Sequence, residues 1–577
     1  MTWGAIGVAK SRVVSEESLF TSSGLGKKFS LVPDPQSCVP LQWAHFGPGA
    51  ISNALADTPC TSLGINDLLD LLNDVLGTSY SLGKPGLQEC LEHFHRTSRD
   101  FGQLYGSLRG HWLPDFTGKL PSLIEEQERD EASRQDALRD GYVGSPRMLP
   151  RRVWDLYSNR VLPLSTLAWH GHGFLAKVWT VSHSWVHESA RTGVWTPVNG
   201  NEWPVPVPND TNVDHVRVEL LNLGAEYAWM DVLCLRQRGR PEDEERRKKE
   251  WKLDVPTLGY IYAGNLPCIT YFNGLGLPFD PSPATFSSDR HWVNRVWTVQ
   301  EATENWLPGG LTGAMSANVL YFFRELLPRS LPLVRTGEED RLAFALRTMQ
   351  GRHCTAELDR IHGLAYMLDC DTLPVYDEGM TPELAWSVLL KHVDSVSRLR
   401  ISMHHMKHHP DDTSLFPSWH QFMHRGTEGP ARFTGSNAPG LFLLDTSRLP
   451  TPQPGTYLFQ APSYGPVRVV REGNKGARGS ETVELEGQDA GDKPSYRQTL
   501  QCKIGGTLSR DTEYTVLKFS SDLWLVVEVV GRRQVDGSAA LEVVKQGSIF
   551  PSSDPLLSDR WELVVCLSDE ETREVDR

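Results

Sequence analysis

The sequence lacks any C-x-x-C pair, and its nine cysteines are spread singly along 577 residues. An odd number of widely spaced cysteines is typical of reduced thiols and argues against a disulfide scaffold. Zinc ribbons and fingers need ligands at short, fixed spacing, which these cysteines do not have. His183 and His187 have the i, i+4 spacing of helical ligands, but the glutamate of H-E-x-x-H is missing. We therefore expect no metal site.

The chain also lacks a run of about 18 uncharged apolar residues, the length that a membrane-spanning helix needs. Residues 1–13 do not have the charged and then apolar order of a secretory signal. We expect a cytoplasmic protein without a membrane span.

Positive charge is scarce, because 58 Lys and Arg face 72 Asp and Glu and give a formal net charge of −14. An acidic chain is poorly suited to coat nucleic acid or an anionic membrane. The basic block at 246–249 directly follows four acidic residues at 242–245, and such neighbours neutralise each other along a helix. No G-x-x-x-x-G-K-[ST] loop occurs, and the glycines at 259–264 form no dinucleotide fingerprint. We expect no nucleic-acid partner, no P-loop chemistry and no resident cofactor.

The length suggests about three or four domains. Residues 1–150 carry apolar positions at helical spacing at 65–76 and 87–101, which predicts a helical N-terminal region. An α/β domain is predicted at 151–310, a helical extension at 311–409 and a β-rich C-terminal module at 410–577. Within the last module, the charged, glycine-rich stretch 472–496 predicts a mobile loop.

Three short apolar runs in the α/β domain predict buried strands at 178–182, 227–233 and 268–272. Helical patterns lie between them at 213–223 and 242–262, and Pro256 should interrupt the second. Strands separated by helices of this length pair in parallel through right-handed crossovers. Open parallel sheets bind ligands beyond the carboxyl ends of their strands. The polar residues there are those at 182–185, Asp231 and Asn273.

Four motifs follow one another in this region: VWTVSHSWV at 178–186, WMDVLCLRQ at 229–237, GYIYAG at 259–264 and RVWTVQE at 295–301. Their order and content resemble the fungal heterokaryon-incompatibility (HET) domain family, whose motifs are similar to A-L-S-[YH]-C-W-G, W-[IL]-D-x-[LI]-C-I-N-Q, I-Y-x-x-A and R-x-W-T-x-Q-E. The resemblance covers under a quarter of the chain. Three positions depart from it: Ser184 replaces the usual cysteine, Val186 the glycine, and Arg236 the asparagine.

The resemblance implies a distant relationship to Toll/interleukin-receptor (TIR) domains, which have a flavodoxin-like parallel sheet and in some branches split NAD. It therefore implies a TIR-like α/β core, a role in fungal non-self recognition and regulated cell death, and NAD or a related nucleotide as substrate. Trp297 and Glu301 match the W-x-x-x-E spacing of the TIR enzymes, although Thr298 replaces their cysteine.

Glu301 is the predicted catalytic residue, since a carboxylate stabilises the ribosyl cation that develops as nicotinamide leaves. The predicted substrate-binding residues are Asp231, Trp297, His183, Trp185 and Arg295. Ser182 and His183 do not form a nucleophile and base in this prediction, because neighbours on a strand point to opposite faces.

A second hypothesis stays open beside the enzyme. Glu301 is then a structural ion pair of Arg295, Trp297 is a core residue, and the domain is a non-catalytic signalling module that binds an unknown partner or another copy of itself. The two hypotheses differ in whether Glu301, Trp297 and Asp231 converge on one accessible cleft.

Overall fold

The computed structural model describes most of residues 38–402, together with residues 29–31, 405, 414–423 and the strands of the C-terminal region. The gaps within 38–402 are residues 140, 168–177, 264–266, 304, 314–316, 328–340, 395–396 and 399. The chain divides into two compact units: Met1–Thr336 with Gly351–Met380, and Gly337–Gln350 with Thr381–Arg577. The structure is mixed α/β, with several sheets. No described helix is long and apolar enough to cross a membrane.

The described α-helices, in chain order, are α1 Asn53–Ala56, α2 Ile65–Leu76, α3 Leu87–Thr97, α4 Phe101–Arg109, α5 Lys119–Ala137, α6 Val213–Leu223, α7 Asp231–Cys234, α8 Glu244–Asp254, α9 Leu258–Tyr262, α10 Pro283–Phe286, α11 Thr298–Glu301, α12 Ala317–Tyr321, α13 Arg341–Gln350, α14 Glu357–Met367, α15 Pro382–His392 and α16 Trp419–Met423.

The described strands of the first unit are β1 Phe29–Leu31, β2 His45–Gly47, β3 Leu138–Arg139, β4 Tyr142–Val143, β5 Arg152–Asp155, β6 Arg160–Pro163, β7 Val178–His183, β8 Arg191–Val194, β9 Val205–Pro208, β10 Tyr227–Met230, β11 Cys268–Tyr271, β12 Trp306–Pro308 and β13 Leu373–Pro374. Those of the second unit are β14 Phe442–Leu443, β15 Tyr457–Arg471, β16 Glu481–Gly487, β17 Tyr496–Gly505, β18 Glu513–Ser520, β19 Leu523–Val535, β20 Ser538–Pro551 and β21 Trp561–Cys566.

Helices α2, α3 and α4 share one hydrophobic core, in which Leu68, Leu91 and Leu104 are fully buried. The predicted helix at 65–76 has these bounds in the structure. The pattern at 87–101 is divided into two helices because Asp100 caps the second one: its carboxylate accepts a hydrogen bond from the Gln103 backbone N–H.

The first unit is organised around a six-stranded sheet of order β12-β11-β7-β10-β5-β6. The predicted parallel pairing is confirmed, because β10 and β11 both pair in parallel with β7, and β12 pairs in parallel with β11. Strands β5 and β6 are an antiparallel hairpin at the other edge. The first parallel strand along the chain, β7, therefore lies between the second and the third.

The second predicted strand is shorter than expected, since β10 ends at Met230 rather than at residue 233. Asp231 starts the helical turn α7, in which the Val232 N–H donates to its carboxylate and the Leu235 N–H to its carbonyl. This side chain–backbone bond competes with strand continuation. Pro256 separates α8 from α9, as its ring and missing N–H predict.

In the second unit, the prediction of a loop over 472–496 is wrong in part. Strand β16 lies within it and pairs with both β15 and β17. The sequence TVELEG alternates apolar and polar residues with the period of a strand, and this pattern outweighs the charged composition. Residues 472–480 and 488–495 of the predicted loop lie outside the described residues.

Candidate functional site

The carboxyl ends of β7, β10 and β11 meet at one edge of the parallel sheet. His183 is in register with Tyr271 of β11, and Val181 with Met230 of β10. The polar segment after β7 and Asp231 after β10 therefore lie side by side. This is the position at which open parallel sheets hold their ligands.

His183, Asp231 and Trp185 form a hydrogen-bonded cluster at this edge. The His183 Nε2 lies 2.8 Å from Asp231 Oδ1, and the Trp185 Nε1–H donates to Asp231 Oδ2 over 3.1 Å. The rings of His183 and Trp185 are stacked, with their centroids 5.9 Å apart. The imidazole is buried, whereas 19% of the Asp231 side chain is exposed. Part of the Asp231 side chain is therefore open to solvent at this edge.

Within this cluster, His183 and Asp231 favour each other's charged forms. Burial opposes ionisation of both groups, but the negative charge of Asp231 and its hydrogen bond raise the pKa of His183 above 6.5. Burial similarly acts against the Asp231 anion, yet His183, the Val232 N–H and the Trp185 indole lower the pKa of Asp231 below 3.8. Asp231 is therefore a carboxylate anion near neutral pH, fixed in orientation by three donors.

Glu301 belongs to a second, buried cluster. Its carboxylate accepts a hydrogen bond from the Ser182 hydroxyl, which in turn accepts one of 2.6 Å from the Trp292 indole N–H. Only 7% of Glu301 is exposed. Burial, followed by the charge of Asp231, raises the pKa of Glu301 to about 7. Near neutral pH, this carboxyl group is therefore protonated in a large fraction of molecules.

The space beside Glu301 is a narrow crevice with no room for a water molecule. Its walls are the side chains of Thr270, Phe272, Trp292, Ala302, Thr303, Trp306 and Leu327. In this conformation a nucleotide cannot contact Glu301 through the crevice.

Trp297 and Arg295 lie beside α14 and the segment that follows it. The Trp297 ring is 6.2 Å from that of Tyr376, and both side chains hydrogen bond to Asp359. Arg295 pairs through its backbone with His353. Within the described part of the chain, Arg295 and Glu301 make no ion pair within 4 Å. The structure thus brings His183, Trp185 and Asp231 together. Glu301 is hydrogen bonded to Ser182 in the adjoining buried cluster.

Ser182 and His183 make separate hydrogen-bond systems, as expected for neighbours on a strand. Sequence reasoning placed Ser182 at the strand end without its partners, and it did not assign Trp292 to the site. Their contact spans 110 residues, and no spacing pattern marks it. The one signal in the sequence is the tryptophan itself, because a buried indole N–H needs a hydrogen-bond acceptor.

A second missed relationship connects two of the motifs. A Cβ added to Gly259 would lie 2.6 Å from the Tyr366 ring and 2.7 Å from Gln300 Oε1. Gln300 is buried, and neither polar atom of its side chain has a hydrogen-bond partner among the described residues. The motifs at 259–264 and 295–301 are therefore in direct contact through packing.

Among the residues that the structure describes, no group of three or more His, Cys, Asp or Glu side chains is placed to hold a metal ion. The edge offers fixed hydrogen-bond acceptors and an aromatic ring to an organic ligand. In comparisons with known proteins, no protein-family model, no curated protein and no solved structure matches the chain.

Proposed function

We propose that this chain is a HET-domain protein of fungal non-self recognition and regulated cell death, whose TIR-like α/β core binds a nucleotide at the carboxyl edge of its sheet. NAD is the proposed substrate, cleaved at its N-glycosidic bond. The observation that carries the proposal is the ionised, partly exposed Asp231, held by His183 and Trp185 at that edge.

The strand arrangement supports this choice of site. The four parallel strands follow the order second, first, third, fourth, which is the beginning of the flavodoxin-like order. In such sheets the ligand lies at the switch point between the first and third strands, here β7 and β11, so the ligand borders the first strand. His183 ends that strand, and Asp231 directly follows its neighbour.

The proposed chemistry uses the two carboxylates in different roles. Asp231 accepts hydrogen bonds from ribose hydroxyls, and His183 keeps it ionised. The glycosidic C–N bond breaks with its electron pair leaving on nicotinamide, and water adds to the ribosyl cation with loss of a proton. Glu301 stabilises that cation once the crevice beside it opens, because its burial otherwise keeps the substrate away.

The test is nicotinamide release from NAD by the purified full chain, with and without conditions that drive self-association. Asp231→Asn and Glu301→Gln each keep the side-chain shape and should reduce release by at least about a hundredfold. Glu128→Gln alters an exposed carboxylate of α5 and should have no effect. Equal release by the wild type and both site variants would disprove the roles assigned to Asp231 and Glu301.

A second candidate function is a non-catalytic signalling module, and the closed crevice beside Glu301 favours it. Glu301 then contributes to packing, and the domain acts by self-association. In that case the wild type releases no nicotinamide under any condition, while Glu301→Gln leaves self-association, measured by analytical ultracentrifugation, unchanged.

A further inference from the structure

Gln300 is a buried side chain whose amide has no hydrogen-bond partner in the part of the chain that the structure describes. Its exposed fraction is 1%, and both Oε1 and Nε2 are unpaired there. The carboxamide packs against Gly259, where an added Cβ would lie 2.7 Å from Oε1. Buried polar groups in native proteins are nearly always hydrogen bonded, because an unpaired one has lost its water without replacement. This conformation of Gln300 therefore has a free-energy cost.

A second buried glutamine has the ordinary arrangement. Gln42 is also 1% exposed, and its Nε2 donates to the Glu219 carboxylate over 2.8 Å and to the Gly276 carbonyl over 2.9 Å. Burial in this fold therefore does not by itself deprive a glutamine of hydrogen bonds. The two side chains differ in what surrounds the amide.

Gln300 directly precedes three consecutive residues that line the closed crevice. Glu301, Ala302 and Thr303 all belong to its wall. A change of backbone conformation at Gln300 therefore moves this part of the wall. Such a change alters the space beside the Glu301 carboxyl group directly, without a break in the sheet.

The two ends of the single-turn helix α11 are held differently. At its start, the Thr298 hydroxyl donates to the Trp292 carbonyl over 2.6 Å and accepts a hydrogen bond of 2.8 Å from the Arg352 guanidinium. At its other end, the helix stops at Glu301, and the backbone of Ala302 is extended. One helical turn gains little stability from its own backbone hydrogen bonds. The end of α11 can therefore change conformation while its start stays in place.

We propose that residues 300–303 form a switch segment, which changes conformation to open the crevice beside Glu301. In the closed conformation the Gln300 amide is unpaired, and in the open one water satisfies it, which offsets part of the cost of opening. When two conformations differ little in free energy, binding to one of them shifts the population towards it. The consequence for NAD cleavage rests on the proposed function, whereas the switch segment itself does not.

The experiment removes the unpaired amide from the full chain with Gln300→Met, whose apolar side chain has a similar length. The unfolding equilibrium constant from urea denaturation should fall by at least about fivefold, because the closed conformation then contains no unpaired amide. Gln42→Met is the matched comparison, and it should raise that constant by at least about fivefold, because it removes a paired amide. Amide hydrogen exchange of the switch segment, followed by mass spectrometry, should slow by at least about fivefold in Gln300→Met.

If Gln300→Met destabilises the protein as Gln42→Met does, the Gln300 amide is paired in solution and the switch is overturned. Stabilisation without slower exchange of the switch segment also overturns it, because the segment then opens independently of Gln300.

Nicotinamide release from NAD distinguishes this failure from failure of the proposed function. If exchange slows in Gln300→Met but neither protein releases nicotinamide, the switch stands and the proposed function fails. If wild type releases nicotinamide and exchange is unchanged in Gln300→Met, the proposed function stands and the switch is wrong.

Discussion

The Ser182 hydroxyl joins two buried groups, since it accepts a 2.6 Å hydrogen bond from the Trp292 indole N–H and donates to the Glu301 carboxylate. A single hydroxyl thus satisfies an aromatic donor and a carboxyl acceptor that lie far apart in the sequence. All three side chains are buried, so none of these bonds can be replaced by bulk water.

We expect Ser182→Ala to reduce the free energy of unfolding by about 2–4 kcal/mol, because the change leaves two buried polar groups without their partner. Urea denaturation measures the loss. Ser122→Ala, at an exposed position of α5, is the matched control and should change stability by less than about 0.5 kcal/mol. If Ser182→Ala reduced the free energy of unfolding by as little as the control does, the buried hydrogen bonds of Ser182 with Trp292 and Glu301 would be contradicted.

Glu301 should make stability fall between about pH 4.5 and 7. Its pKa is raised from 4.5 to about 7 in the folded protein, so folding favours the protonated form. The stabilisation is complete below pH 4.5 and is lost as the pH rises through 7. Relative to Glu301→Gln, wild type should lose up to about 3 kcal/mol over this range. Denaturation curves of both proteins across the range measure the difference, and a constant difference would show that the pKa of Glu301 is not raised.

Asp231→Asn should lower the pKa of His183, since the anion is what holds the imidazole protonated despite burial. The pair stabilises the fold between the ordinary pKa values of the two groups, 3.8 and 6.5. The aspartate contribution is lost below this window as the carboxylate is protonated. The histidine contribution is lost as the pH rises through the raised pKa of His183.

The substitution should therefore cost most inside that window, about 3 kcal/mol, and less in more acidic or more alkaline solution. NMR titration of the His183 ring measures the pKa directly. A His183 resonance that titrates identically in wild type and variant would contradict the pairing.

Gly259→Ala should destabilise the protein by about 1–3 kcal/mol, although alanine is the better helix former. The reason is the close approach of Tyr366 and Gln300 to the missing side chain. Gly144→Ala is the control, because its nearest neighbour lies at 3.7 Å. Thermal unfolding distinguishes the two variants. Equal melting temperatures would mean that the two motifs pack more loosely than the structure has them.

Local pattern predicted much of the α/β unit. The spacing of apolar residues located α2 and α6 at their observed bounds, and the alternation of strands with helices predicted the parallel pairing of β7, β10 and β11. The rule that ligands bind at strand ends singled out Asp231 and His183, which the structure brings into contact. These features depend on residues close in sequence or on the general geometry of parallel sheets.

Spacing along a helix was less informative about Trp297 and Glu301. The W-x-x-x-E spacing suggested one shared face, but the hydrogen bonds of Trp297 go to Asp359 and those of Glu301 to Ser182. Helix α11 is a single turn that starts after Trp297, so the packing of the surrounding chain decides where each side chain lies. Composition was misleading at β16, where a charged stretch is a paired strand.

By itself, the sequence predicted the three central parallel strands, the helices between them and the polar character of the strand ends, because these follow from local periodicity and turn chemistry. Only the tertiary structure decided that Asp231 is a partly exposed anion. It also decided that the Glu301 carboxyl is buried away from solvent and that its pKa is raised. Solvent exposure and pKa depend on every group packed around a carboxylate. Ser182, Trp292 and the walls of the crevice come from four separate segments that only the folded sheet brings together.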